Sequence, residues 1–212
     1  MRKKRIVVVC PGRGSYTRKT SNYLENADSN LRSMIEEQDK IRSTKNLKSV
    51  FELDKAIFRA KTHMSGENAS PLIYSCSLKD YSLINKEKYE VAAICGNSMG
   101  WYIAMALSGA LTNEDGFDLI QTMGILTQDH GTGGQIIYPI IDEDWRININ
   151  RRNMLLDEVS KIGAHLSIKL GGFVVIGGKQ SALNHLLKTL PTIDKYPFQI
   201  PFHAAFHTRL IE

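Results

Sequence analysis

Cysteine is scarce in this chain. Cys10, Cys76 and Cys95 are the three in 212 residues, widely spaced and odd in number. That spacing argues against a disulfide framework and favours reduced thiols in a cytoplasm. No apolar stretch is long enough to span a bilayer. The basic opening Met1-Arg2-Lys3-Lys4-Arg5 leads into an apolar run that stops at Cys10, before Pro11-Gly12, too short for the core of a secretion signal. A block of one charge is also missing. The 27 basic and 22 acidic residues give a net +5, dispersed, with no basic-aromatic stripe and no groove-reading motif. Nucleic acid is therefore not an expected partner; a mildly basic surface favours an acidic protein or a phosphate-bearing molecule, or is simply solvated.

Two nucleotide-binding signatures are incomplete. A dinucleotide fingerprint on Gly12 and Gly14 needs a third glycine where Thr17 stands, and no Gly-Lys-Ser/Thr follows. The loop Pro11-Gly12-Arg13-Gly14-Ser15 is then either a tight turn or a loop offering backbone N–H groups to an anion. What is present is the make-up of a folded globular protein, 42% hydrophobic and 23% charged. Its length allows one domain, or a domain with a smaller insert.

The chain is organised around Ile94-Cys95-Gly96-Asn97-Ser98-Met99-Gly100-Trp101. An apolar run, Val91 to Cys95, reads as a buried strand, and Trp101 to Leu111 holds mostly apolar helix formers without proline. A Gly-x-Ser-x-Gly turn between strand and helix is the setting of a nucleophilic serine, because small flanking residues let the two elements pass closely while the hydroxyl projects. Ser98 is the candidate nucleophile.

Elsewhere, Arg5 to Cys10 reads as a buried first strand. The polar segment from Thr20 to Lys61 carries apolar residues at helical spacing, expected as surface helices with one packed face. Ser70-Pro71 reads as the start of a helix running to about Asn85 and burying Leu72, Ile73, Cys76 and Leu83. Thr112-Asn113-Glu114-Asp115 caps another helix through Thr127. After the break at Gly131-Thr132-Gly133-Gly134 come a strand (135–141), a helix (153–162), a strand (173–176), a helix (180–190) and a strand-like 198–202. This alternation implies a small α/β insert.

A serine nucleophile needs a base, and histidine titrates near neutrality. His63, His130, His165 and His185 sit in polar or helical settings and are expected at the surface. His203 and His207 follow a strand, where catalytic groups often sit. Their spacing also suits a metal pair, but Ala204 stands where a zinc protease motif has glutamate.

Pro11-Gly12-Arg13-Gly14-Ser15, Gly96-Asn97-Ser98-Met99-Gly100, Gly131-Thr132-Gly133, Val174-Val175-Ile176-Gly177-Gly178 and Pro201-Phe202-His203 occur in the order and spacing of one family. Over nearly its whole length the chain resembles the malonyl-CoA:acyl carrier protein transacylases and polyketide synthase acyltransferase domains. The resemblance implies an α/β-hydrolase-like core (residues 1–130 and 201–212) with a ferredoxin-like subdomain inserted at residues 131–200. It also implies that the C-terminal part of the family fold is missing, with the segment whose backbone carbonyl orients the histidine, so that either the chain is a fragment or the histidine is held differently. It implies an acyltransferase of fatty-acid or polyketide biosynthesis, with coenzyme A thioester as substrate, acyl carrier protein as partner and no permanently bound cofactor or metal. Ser98 would be acylated, His203 would be the base, and the backbone N–H groups of Met99 and Arg13 would form the oxyanion hole. Gly12, Gly14, Asn97, Trp101 and Met123 would line the substrate site.

Departures from the pattern bear on substrate. Asn97 and Trp101 replace the usual His and Glu of the turn, and Arg13 replaces Gln. Met123 replaces an arginine that pairs with the malonyl carboxylate, which implies an uncharged acyl group unless Arg13 or another cation substitutes. Ser167-Ile168-Lys169 stands for Asn-x-Asn. A hydrolase clearing acyl carrier proteins, or an inactive carrier-binding module, are the alternatives. A generic Ser-His-Asp esterase is disfavoured by the lack of a distinctive acid between Ser98 and His203.

Overall fold

In the computed structural model, which describes residues 2–211, β1 (Lys4–Cys10) and β2 (Tyr89–Gly96) form a parallel pair. Met1 and Glu212 lie outside the described residues. Lys4 lies opposite Tyr89 and Cys10 opposite Gly96, with one irregularity between Ile6 and Val7. This register ends both strands together and sets the loop after β1 beside the turn after β2. Sites of open α/β sheets form at such carboxyl ends.

Among the described residues a short 3-10 helix (Arg18–Thr20) and six α-helices complete this unit: α1 (Ser29–Thr44), α2 (Val50–Lys55), α3 (Ala60–His63), α4 (Gly66–Ser82), α5 (Gly100–Leu107) and α6 (Asn113–Asp129). The polar start of α1 is fixed by Asp28, whose Oδ1 accepts from Leu31 N at 2.8 Å. At α2, Ser49 and Glu52 cap each other's backbone N–H in a capping box. Helices α1, α4, α5 and α6 bury Ile35, Leu72, Ile103 and Phe117 in one core with Cys10 of β1.

Several expectations fail in this unit, among them a buried second strand: no residue of β2 is buried. The apolar run of β1 reads as a strand buried on both faces, yet only Val8 and Cys10 join the core, while Val7 is 58% and Val9 70% exposed. Apolar content alone does not tell a strand covered on both faces from one covered on a single face. His63, expected at the surface, is buried. Its Nε2 meets Leu53 O at 2.9 Å and its ring stacks on Phe58 and Tyr16. Leu83 is the exposed C-cap of α4 rather than part of its packed face.

Helix α4 also starts earlier than expected. The helix starts at Gly66, with Ser65 as N-cap, so Pro71 falls inside it. Proline has no N–H, and the carbonyl of Glu67 four residues earlier loses its helical donor. Two side chains replace it: Arg42 Nη1 donates to Glu67 O at 2.8 Å and Gln121 Nε2 at 3.0 Å. Both are wholly or almost wholly buried. A proline tolerated in mid-helix thus explains a charged side chain in the core.

The second unit is a four-stranded antiparallel sheet in the order β4-β5-β3-β6, where β3 is Gly134–Pro139, β4 His165–Leu170, β5 Phe173–Gly178 and β6 Phe198–Gln199. With α7 (Ile149–Lys161) after β3 and α8 (Gln180–Thr189) after β5, this is the β-α-β-β-α-β order of a ferredoxin-like fold. Leu155 and Val159 of α7, and Leu183 and Leu186 of α8, pack with Ile136, Tyr138 and Ile176 of the sheet. The residue-level reading has no strand at β4, although Leu166, Ile168 and Leu170 alternate. It also starts α7 late, at Asn153, whereas Asn148 is the cap and accepts from Arg151 N at 3.0 Å.

The chain divides into Met1–Gln128 and Asp129–Glu212. Residues 201–211, expected with the first domain, side with the second unit. Ala205 N donates to Thr132 O at 2.8 Å, and Gln135 Nε2 to Phe206 O at 3.1 Å. Among the described residues no helix is long and apolar enough to cross a membrane.

Thiol reactivity checks the first unit's packing. Burial raises the Cys76 thiol far above its ordinary value, helped by the carboxylates of Asp54 and Asp80. Burial and neighbouring Cys95 raise that of Cys10. Cys95 is only half-buried. Since the thiolate is the reactive form, native protein treated with iodoacetamide at pH 8 is expected to modify Cys95 first, and Cys10 and Cys76 only after unfolding. Peptide mapping over time reads this order; equal labelling of Cys76 and Cys95 contradicts it.

Candidate active site

Between β2 and α5 the chain turns sharply at Asn97-Ser98-Met99. Gly100 N donates to Asn97 O at 2.9 Å and Trp101 N to Ser98 O at 3.0 Å. Ser98 has a left-handed backbone, φ 55°. A side chain in that region costs about 1–2 kcal/mol. The flanking glycines explain how so tight a reversal fits. A Cβ on Gly96 would lie 2.1 Å from Gly100 O, and one on Gly100 would lie 2.4 Å from Cys10 O. Neither position tolerates a side chain without backbone movement.

The loop after β1 runs against this turn, as the strand register requires. A Cβ on Gly12 would sit 3.0 Å from Asn97 O and 3.8 Å from the Cβ of Ser98. Gly12, Asn97 and Ser98 are thus brought together. Gly14 has φ 96° and faces open space. The side chain of Arg13 reaches the wall formed by α6 and the residue before Ser65: Nη2 donates to Met64 O at 3.1 Å and Nη1 to Thr127 Oγ1 at 3.5 Å. Burial lowers its pKa to about 10, so it stays charged at neutral pH. Met123, half-buried, lies one turn before Thr127 on the same face of α6. Met99 is buried at the start of α5, whereas Asn97 is exposed and Trp101 is 59% exposed.

His203 belongs to the second unit and follows β6. Its Nδ1 lies 2.8 Å from Gln135 Oε1. Gln135, on β3, is buried and is itself held from the other end: its Nε2 donates to Ser167 Oγ at 2.7 Å and to Phe206 O at 3.1 Å. Ser167 Oγ also donates to Phe206 O at 2.8 Å. The Phe206 ring meets the imidazole edge-on, with centroids 5.3 Å apart. Of these groups the sequence reading singled out only Ser167, and only as a departure from a pattern. Gln135 was legible in one respect: it is the one polar side chain in an otherwise apolar stretch, Gly134–Pro139. His207 is exposed, with φ 56°.

No family model and no curated protein sequence matches the chain. Solved structures do. The malonyl-CoA:ACP transacylase of Synechocystis sp. PCC 6803 matches with TM-score 0.77 at 17% identity, over 98% of this chain and 65% of its own. The acyl-carrier-protein S-malonyltransferase of Burkholderia pseudomallei 1710b gives 0.74 at 18% identity, over 98% and 66%. The acyltransferase domain of the polyketide synthase PpsC of Mycobacterium tuberculosis gives 0.71 at 17% identity, over 96% and 58%. The fold is that of the transacylases, and the chain spans 65% of the first structure's length.

Proposed function

We propose that this chain transfers an acyl group from a coenzyme A thioester to the phosphopantetheine thiol of an acyl carrier protein through an ester on Ser98. The reading is carried by the backbone of Ser98, left-handed at φ 55° between two glycines that admit no Cβ. Strain of this kind persists where a surrounding structure imposes it, and it concentrates at reacting groups. The fold shared with transacylases adds the reaction class.

In this mechanism Nε2 of His203 takes the proton of Ser98 as the hydroxyl oxygen bonds to the thioester carbonyl carbon. Backbone N–H groups of Met99 and Arg13 receive the resulting oxyanion. Collapse breaks the carbon–sulfur bond, and the imidazolium returns its proton to the departing thiolate. The carrier thiol then gives His203 its proton, attacks the Ser98 ester, and regenerates the serine hydroxyl.

The acyl group is read from Met123, whose thioether offers a carboxylate no charged contact. Intact-mass measurement after mixing with malonyl-, acetyl- and longer acyl-CoA tests the proposal. One acyl group on Ser98 is expected, with acetyl exceeding malonyl. A malonyl preference would instead assign the carboxylate contact to Arg13, and no adduct from any thioester would overturn acyl transfer.

A further inference from the structure

We infer that Gln135 is a positioning residue that sets which nitrogen of His203 acts as the base. Phe206 O is a carbonyl and only accepts, so the Gln135 amide atom 3.1 Å from it is the NH2 group. The opposite end of the amide, facing His203 Nδ1 at 2.8 Å, is then the oxygen. An amide oxygen also only accepts, so Nδ1 carries the hydrogen. The neutral ring is left with its lone pair on Nε2. Ser167 reinforces the assignment, since its hydroxyl donates to Phe206 O and its oxygen accepts from Gln135 Nε2.

Within the second unit Gln135 orients the imidazole as the third member of a catalytic triad orients its base, but as a neutral buried amide. It replaces a charge by a hydrogen-bond chain ending on the backbone. A carboxylate in that place would stabilise the imidazolium as well as orient it; an amide mainly orients. The catalytic consequence rests on the proposed role of His203, whereas the choice of tautomer does not.

The test therefore has two readouts. Nitrogen-15 NMR of the native chain is expected to show neutral His203 with hydrogen on Nδ1. Gln135→Met, close in volume, should shift it toward the Nε2–H form that free imidazole side chains prefer, and Gln135→Glu, which keeps an acceptor, should retain the native form. Acylation of Ser98 should fall in Gln135→Met by roughly 10- to 100-fold in kcat with little change in KM, as loss of a group acting through the base requires. Native His203 with hydrogen on Nε2, or a tautomer and kcat unmoved by Gln135→Met, overturns the inference. If Gln135→Met does not fold, the native spectrum and the Glu variant still decide it. Absence of acylation in the native chain would defeat the proposed function and leave the tautomer to be read by itself.

Discussion

Ser98→Ala is expected to fold normally and to lose acyl transfer by roughly 10⁴-fold or more, because removing a nucleophile that works with its base as a unit costs nearly the whole covalent route. Alanine keeps the Cβ, so the turn retains its shape and its strain. Glycine tests the strain separately. Ser98→Gly removes the side-chain clash at φ 55° and is expected to raise stability by about 1 kcal/mol while remaining inactive. Activity assays with the acyl-CoA panel and urea denaturation of both variants check the pair. A stable, active Ser98→Ala protein would remove the serine from the mechanism. A destabilised Ser98→Gly protein would mean that the left-handed turn carries no strain.

Arg42→Met is expected to destabilise the first unit by about 4 kcal/mol or more, since hydrogen bonds to a charged group contribute about 1.5–3 kcal/mol each and buried acceptors left without donors add their desolvation cost. Arg42 is fully buried. Its Nε donates to Lys48 O at 2.7 Å, its Nη2 to Asn68 Oδ1 at 2.8 Å, and its Nη1 to Glu67 O at 2.8 Å and to Gln121 Oε1. Methionine fills much of the volume and serves none of these oxygens. Burial lowers the guanidinium pKa, against the opposing pull of Asp39 and Glu67, so the charge is held in the core at a cost that the four bonds offset. Arg42→Lys should recover little, because one ammonium does not span acceptors that a planar fork reaches. Denaturation midpoints of the three proteins measure this. Glu67 O keeps Gln121 Nε2 as a donor in Arg42→Met, so a loss within about 1 kcal/mol would mean that Lys48 O, Asn68 Oδ1 and Gln121 Oε1 find other donors.

The turn at Ser98 was legible because its chemistry is local: glycines two residues either side of a serine, an apolar run before and helix formers after. The first strand was legible as a strand and not as a half-exposed one, since Val7 and Val9 look no different from Val8 until the sheet's other face is known. Pro71 misled for the opposite reason. Proline usually opens a helix, and what permits it in mid-helix lies 29 residues before it at Arg42 and 50 after it at Gln121, both remote in sequence. β4 is a different case, for its alternating Leu166, Ile168 and Leu170 were available to inspection but follow α7 after only Ile162, Gly163 and Ala164. The partner of His203 was the least visible part of the site. Gln135 stands 68 positions away, and nothing local to either residue marks an amide as the acceptor for an imidazole.

Site-resolved mass spectrometry of the native chain after exposure to acyl-CoA tests the central claim most directly. The account predicts one acyl group, as an ester on the Ser98 oxygen, absent from Ser98→Ala and much reduced in His203→Ala. An acyl group on Cys95, or an ester on Ser98 that forms equally well without His203, would contradict it.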